Sequence, residues 1–288
     1  MRFVHFVEGS CKGVAIEQAG ALRGLTEHES GYPGSLEGLL NAGANALKAA
    51  YERLSDGRLL DSSKLRYLPP LERPGKIVCV GLNYADHTLE SPYEQPSYPT
   101  FFPRFATSLI GHGEPILRPR VSEQLDYEGE LAVIIGTGGR HISRERALEH
   151  VAGYSIFNEA SIRDYQFKSP QWTIGKNFDT TGAFGPTFVS ADELPPGAAG
   201  LSLVTRLNGT VVQQGNTADM IFDVAELIAI LSEALTLEPG DVIVTGTPAG
   251  IGWARRPPLF MKPGDLCTVE IEGLGTLSNL IADEPPAA

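Results

Sequence analysis

The chain is poor in cysteine. Cys11, Cys79 and Cys267 lie far apart and form no Cys-x-x-Cys pair. This excludes a disulfide framework and a thiolate zinc site, and leads us to expect a reducing, cytoplasmic setting. Positive charge is also scarce: Lys and Arg total 23 against 35 Asp and Glu, for a formal charge of −12. With no basic footprint, neither nucleic acid nor an anionic membrane is expected as a partner. No stretch reaches the ~18 apolar residues of a membrane span. The apolar patch of MRFVHFVEGS, interrupted by His5, is too short for a signal-peptide core.

Several catalytic signatures are missing as well. Gly136-Thr137-Gly138-Gly139 lacks the third glycine position of a dinucleotide loop and an acidic residue about 20 positions on. Gly153-Tyr154-Ser155-Ile156-Phe157 has Phe where a nucleophile elbow needs glycine. Gly175-Lys176 is followed by Asn177, and Pro170 stands where a phosphate loop needs its first glycine. These absences favour metal chemistry over serine or nucleotide chemistry.

The 288 residues, 42% hydrophobic and 20% charged, suit one large domain or one large and one small. MRFVHFVEG and KGVAIEQAG read as a β-hairpin, and SLEGLLNAGANALKAAYERLSDG as a helix with Leu36, Leu39, Leu40, Ala44 and Leu47 at helical spacing. A proline-rich linker over about Arg66 to Gly75 then separates a small N-terminal domain, residues 1–70, from residues 71–288. Strands dominate the second part, with Asn208-Gly209 as a hairpin turn. HISRERALEHV and FDVAELIAILSEAL read as helices. The expected class is β-rich α+β.

The chemistry concentrates in Asp126-Tyr127-Glu128-Gly129-Glu130, which runs into LAVII. Alternation puts Glu128 and Glu130 on one face of a strand. Two such carboxylates suit a hard divalent ion, magnesium, manganese or calcium, although a solvated strand edge has the same pattern. GYSIFNEASIRDYQ brings Glu159 to another strand end, with Asn158 or Ser161 available to cap a following helix. Lys176 sits in the apolar, glycine-rich WTIGKNFD, either as a buried cation beside carboxylates or as a lysine snorkelling from a loop. In VIVTGTPAG the backbone N–H groups and the Thr247 hydroxyl are candidates to hold a carboxylate, or the segment is a plain connection. His87 and Glu90, three apart, are neighbours on one helical turn, and a carboxylate on one imidazole nitrogen suits the other to general-base work. His112, in a Gly-His-Gly turn, is structural or lines an entrance.

Together GLNYADHTLE, DYEGELAVIIG, FNEASIRDYQ, WTIGKNFDT and DVIVTGTPAGIG resemble, in order and spacing, the fumarylacetoacetate hydrolase family, over about Lys76 to Ala282. The chain is most similar to bacterial acylpyruvate-hydrolase-like members. The resemblance implies a mixed β-sandwich roll, usually a homodimer, with magnesium or manganese, calcium being possible, held by Glu128, Glu130 and Glu159. The family commonly has aspartate at the last position. Lys176 corresponds to the family's active-site lysine, and His87 with Glu90 to its water-activating pair on a lid-like segment. Arg163, Gln166 and Thr247 border the substrate. The expected reaction is hydrolysis of a C–C bond in R–CO–CH2–CO–COO⁻, a small-molecule 2-oxo acid of aromatic or sugar-acid catabolism. Decarboxylation of oxaloacetate-like acids, or isomerisation or hydration of unsaturated 2-oxo acids, uses the same site. A catalytically silent structural paralogue would need the metal ligands at most, and the joint presence of His87, Glu90 and Lys176 argues against it.

Overall fold

The structure, a computed structural model, describes residues 1–90 and 94–286. It is strand-rich α+β, as expected. The larger sheet runs in spatial order Arg58–Leu59, Ala21–Thr26, Cys11–Gln18, Arg2–Glu8, Gly182–Ser190, Val151–Glu159, Gly129–Ile135, Val242–Val244, Ile77–Gly81 and Thr100–Pro103. A five-stranded sheet of Thr210–Asn216, Ser202–Leu207, Leu266–Ile271, Gly275–Asp283 and Ile116–Arg118 packs on one of its faces. Residues 1–70 supply strands to the larger sheet. Arg2–Glu8 pairs antiparallel with Gly182–Ser190, through Phe3 opposite Phe188.

The central strand Gly129–Ile135 is buried along its whole length, and its alternation decides what lies on each side. Leu131, Val133 and Ile135 meet Leu203, Val269 and Leu277 of the second sheet and Leu227 and Ile228 of helix Val224–Ala234. Ala132 and Ile134 join Phe157, Phe184, Cys79 and Phe102 in a second core, closed by Leu36, Leu40, Leu47 and Leu54. Each such aliphatic side chain contributes about 1.5–3 kcal/mol by leaving water. The strand is thereby fixed from both faces, and so is the direction in which its first residues point.

Two helix expectations need correction. Residues 36–55 form two helices, Leu36–Ala42 and Ala44–Ser55, rather than one. Gly43 takes φ +92° and its N–H reaches Leu39 and Leu40 carbonyls, which ends the first helix. Ser35 caps the first, accepting from Gly38 N–H at 3.2 Å. Residues Arg144–His150 are 3₁₀ rather than α-helical, and Ser143 supplies no side-chain cap. Helix Val224–Ala234 forms as read, capped by Asp223 accepting from Glu226 N–H at 2.8 Å. Asn208 and Gly209 both have positive φ, as the primed hairpin turn requires. No helix among the described residues is long and apolar enough to cross a membrane.

Candidate active site

Glu128 and Glu130 continue the face of Ala132 and Ile134, at the head of the central strand. Glu159 ends the adjacent strand, where Gly129 pairs with Asn158 and Glu159 N–H donates to the Glu128 carbonyl at 2.8 Å. The three carboxylates are all buried, and ligand oxygens from each lie within 4.8 Å of one another. Burial, then Glu159 and Glu128, hold the Glu130 carboxyl well above the usual carboxylate range. Glu159 Oε1 is enclosed without a hydrogen-bond partner. An all-oxygen cluster with a buried, unsatisfied acceptor and mutual repulsion fits a hard divalent cation. The extra methylene of Glu159, relative to aspartate, does not keep its carboxylate out of the cluster.

Three cations surround the acids. Lys176 Nζ lies 2.8 Å from Glu128 Oε2 and 3.0 Å from Glu159 Oε2, fully buried, so it is not a snorkelling surface lysine. Burial alone would lower its pKa, but Glu128 and Glu159 hold it above the ordinary value, and it stays an ammonium. Its placement depends on Gly175, where a Cβ would sit 2.3 Å from Gln166 N. Arg163 pairs with Asp126 at 2.8 Å and Glu128 at 2.7 Å, and donates to Gln166 Oε1 at 2.8 Å. Burial would raise Glu128, yet Lys176 and Arg163 prevail and hold its carboxyl at about 2. Arg104 Nη1 stands 3.5 Å from Glu159 Oε1, an ion pair without a hydrogen bond.

The loop of residues 246–253 does hold carboxylates through its backbone, and those it holds are the protein's own. Gly246 N–H donates to Glu130 at 2.5 Å, Gly250 N–H to Glu90 at 2.9 Å, and Gly252 and Trp253 N–H to Asp126 at 2.7 and 2.9 Å. Gly246 adopts φ +100°, with Asn83 so close that a Cβ would lie 2.9 Å away. The Thr247 hydroxyl is committed to the Gly129 carbonyl at 2.9 Å and accepts from Gln213 at 2.8 Å. His87 Nδ1 contacts Glu90 Oε1 at 2.9 Å.

His87, Glu128, Glu130, Glu159, Arg163, Gln166, Lys176 and Thr247 thus line one cavity, with Glu90 behind His87. Other expectations fall differently. Asn158 and Ser161 cap no helix: Asn158 accepts from Glu128 N–H at 3.1 Å, and Ser161 donates to the Glu159 carbonyl at 2.9 Å. His112 is structural, its Nδ1 accepting from Ser278 N–H at 3.1 Å and its ring packed on Tyr67. Arg104, Asp126, Asn83 and Gln213 were missed. Asp126 adjoined the Glu-x-Glu pattern, but nothing local announced the other three.

A family model described as fumarylacetoacetate (FAA) hydrolase C-terminal matches residues 76–282. The chain belongs to this family. An oxaloacetate tautomerase of Xenopus laevis, described as mitochondrial, is 39% identical over 286 residues, covering 97% of this chain and 89% of the relative. The solved fumarylacetoacetate hydrolase of Exiguobacterium antarcticum superimposes with a TM-score of 0.86 at 37% identity, covering 99% of this chain and all of that one. The maleylpyruvate hydrolase of Sphingobium sp. SYK-6, solved with manganese(II) and pyruvate, gives 0.82 at 25% identity, again covering 99% of this chain and all of that one.

Proposed function

We propose that this family member is a divalent-metal-dependent hydrolase of acylpyruvates, R–CO–CH2–CO–COO⁻, yielding R–COO⁻ and pyruvate. The observation that carries the reading is the His87–Glu90 pair, 2.9 Å apart, on the cavity lined by the three carboxylates. Glu128, Glu130 and Glu159 would hold magnesium or manganese, which when bound supplies a Lewis acid for the 2-oxo acid end of the substrate. The manganese and pyruvate of the maleylpyruvate hydrolase are consistent with that assignment.

The chain's own groups account for the remaining steps. With Nδ1 facing Glu90, the other His87 ring nitrogen takes a proton from water, and Glu90 stabilises the imidazolium. Two loop N–H groups, those of Gly250 and Ile251, fix Glu90 in turn, so the base is oriented from behind. Water adds to the distal carbonyl, and the bond between that carbon and the methylene breaks. Its electron pair stays with the pyruvate fragment, whose methylene carbon then takes up a proton. Lys176 and the unpartnered Arg163 Nη2 offer positive charge to the anionic oxygens.

A second reading is oxaloacetate tautomerisation or decarboxylation, favoured by the name of the Xenopus laevis relative. It moves a proton at the methylene carbon, or loses CO₂, without attack by water. Product analysis separates the two: acetylpyruvate giving acetate and pyruvate supports hydrolysis, whereas turnover of oxaloacetate alone supports the second reading. We also propose the homodimer that the family resemblance implies, and a reducing compartment, consistent with three unpaired cysteines.

A further inference from the structure

The cavity lining is of two chemical kinds. In its polar part, Arg163 Nη2 is a buried guanidinium nitrogen with no partner. Beside it, Arg163 Nε and Nη1 are engaged by Asp126 and Glu128, and two of the three Lys176 N–H donors by Glu128 and Glu159. Arg163 Nη2 is thus an unfilled place for one carboxylate. Apart from these groups and Glu130, His87, Gln166 and Thr247, the wall is apolar, made by Phe102 against Trp172, with rings 5.5 Å apart, Phe167 against Trp253, 5.0 Å apart, and Leu82 and Ile251. Among the described residues, the cations of the lining are Lys176 and Arg163. The arginines that follow Trp253 are turned away onto carbonyls. Arg255 donates to Val212 O at 2.5 Å and Gly250 O at 3.3 Å, and Arg256 to Arg255 O at 3.0 Å.

We infer that the substrate is a monoanionic 2-oxo acid whose distal substituent is apolar, an alkyl or aryl group packed against Phe167 and Trp253, rather than a dicarboxylate. The inference rests on the proposed placement of a 2-oxo acid at Glu128, Glu130 and Glu159. With the 2-oxo acid's own carboxylate on Arg163 Nη2, a distal carboxylate would lose its water against aromatic carbon with no second free guanidinium nitrogen to meet it. An apolar group gains from the same surface, and a few methylenes suffice for tenfold to hundredfold discrimination.

The test uses two uncleavable 2-oxo acid mimics on the manganese-loaded protein, titrated calorimetrically. N-benzyloxamate carries one carboxylate and an apolar arm, and N-oxalylglycine carries a second carboxylate in place of the ring. The expected result is N-benzyloxamate bound at least about tenfold more tightly. Phe167→Arg, on a side chain 39% exposed, places a cation in the wall and narrows that ratio by about tenfold or reverses it, and Trp253→Arg does the same by a second route. Equal or tighter binding of N-oxalylglycine by the unmodified protein overturns the inference and leaves the 2-oxo acid reading standing. An unchanged ratio in both arginine variants overturns the assignment of this wall. Failure of both mimics to bind removes the 2-oxo acid reading itself and this inference with it.

Discussion

Arg104 faces Glu159 across 3.5 Å, with both side chains almost wholly enclosed. The rest of the guanidinium is held by Ser108 Oγ at 3.0 Å and Thr181 Oγ1 at 2.7 Å, so the arginine is fixed before it meets the carboxylate. Gly182 makes room for it, since a Cβ there would lie 2.6 Å from Arg104 Nε.

Removing Arg104 would leave Glu159 with Lys176 as its partner at 3.0 Å and would take the guanidinium donors from the Ser108 and Thr181 hydroxyls. Arg104→Met should destabilise the fold by roughly 1–3 kcal/mol, measured by denaturant unfolding of the metal-free protein. Arg104→Lys should recover part of the loss. A change below about 1 kcal/mol in Arg104→Met would mean that Thr181 and Ser108, not Glu159, define this arginine's environment.

Glu130 gives a pH-dependent prediction. Burial and its two acidic neighbours raise its folded pKa, so its contribution to stability is fully present below the unfolded value and is lost as pH rises through the folded one. In metal-free protein, Glu130→Gln abolishes this dependence while its amide oxygen can still accept from Gly246 N–H. Relative to the unmodified protein, the variant's melting temperature should therefore be more favourable at pH 8 than at pH 5. A difference that does not vary with pH contradicts the assignment.

Glu159 is the third proposed ligand and the residue where the family more often has aspartate. Glu159→Asp should retain manganese binding, whereas Glu159→Ala should weaken it by on the order of tenfold or more, read from the free-ion signal in electron paramagnetic resonance. Equal affinity in all three proteins would leave Glu159 as a partner of Lys176 and Arg104 only.

His87→Ala should lower acylpyruvate hydrolysis by about 10²–10⁴, the usual contribution of a positioned general base, with manganese affinity nearly unchanged. Glu90→Gln should cost less, because the amide oxygen can still accept from Gly250 N–H and from His87. A His87→Ala enzyme with full activity would make this histidine a bystander.

Much of this arrangement was legible in the sequence because it is local. Alternation placed Glu128 and Glu130 on one face, and a three-residue step joined His87 to Glu90. The apolar setting of Lys176 made a buried cation one of two readings, and the structure decides between them by its contacts. Arg104, Asn83 and Gln213 were invisible because their partners are brought close only by the fold. Arg104 meets Thr181 across 77 positions, and Asn83 meets Phe222 across 139. For VIVTGTPAG the sequence leaves two readings, N–H groups that hold a carboxylate or a plain connection, and only the folded chain shows that N–H groups of residues 246–253 hold Glu130, Glu90 and Asp126. The break at Gly43 was missed because the leucine spacing continues through a glycine whose φ is +92°.

The central claim is metal-dependent hydrolysis, and the most direct measurement follows acetylpyruvate by nuclear magnetic resonance with chelator-stripped protein, before and after addition of manganese or magnesium. The expected result is no turnover in stripped protein, and acetate and pyruvate in equal amounts once the ion is restored. Undiminished turnover without metal, or loss of acetylpyruvate without acetate formation, would contradict the account.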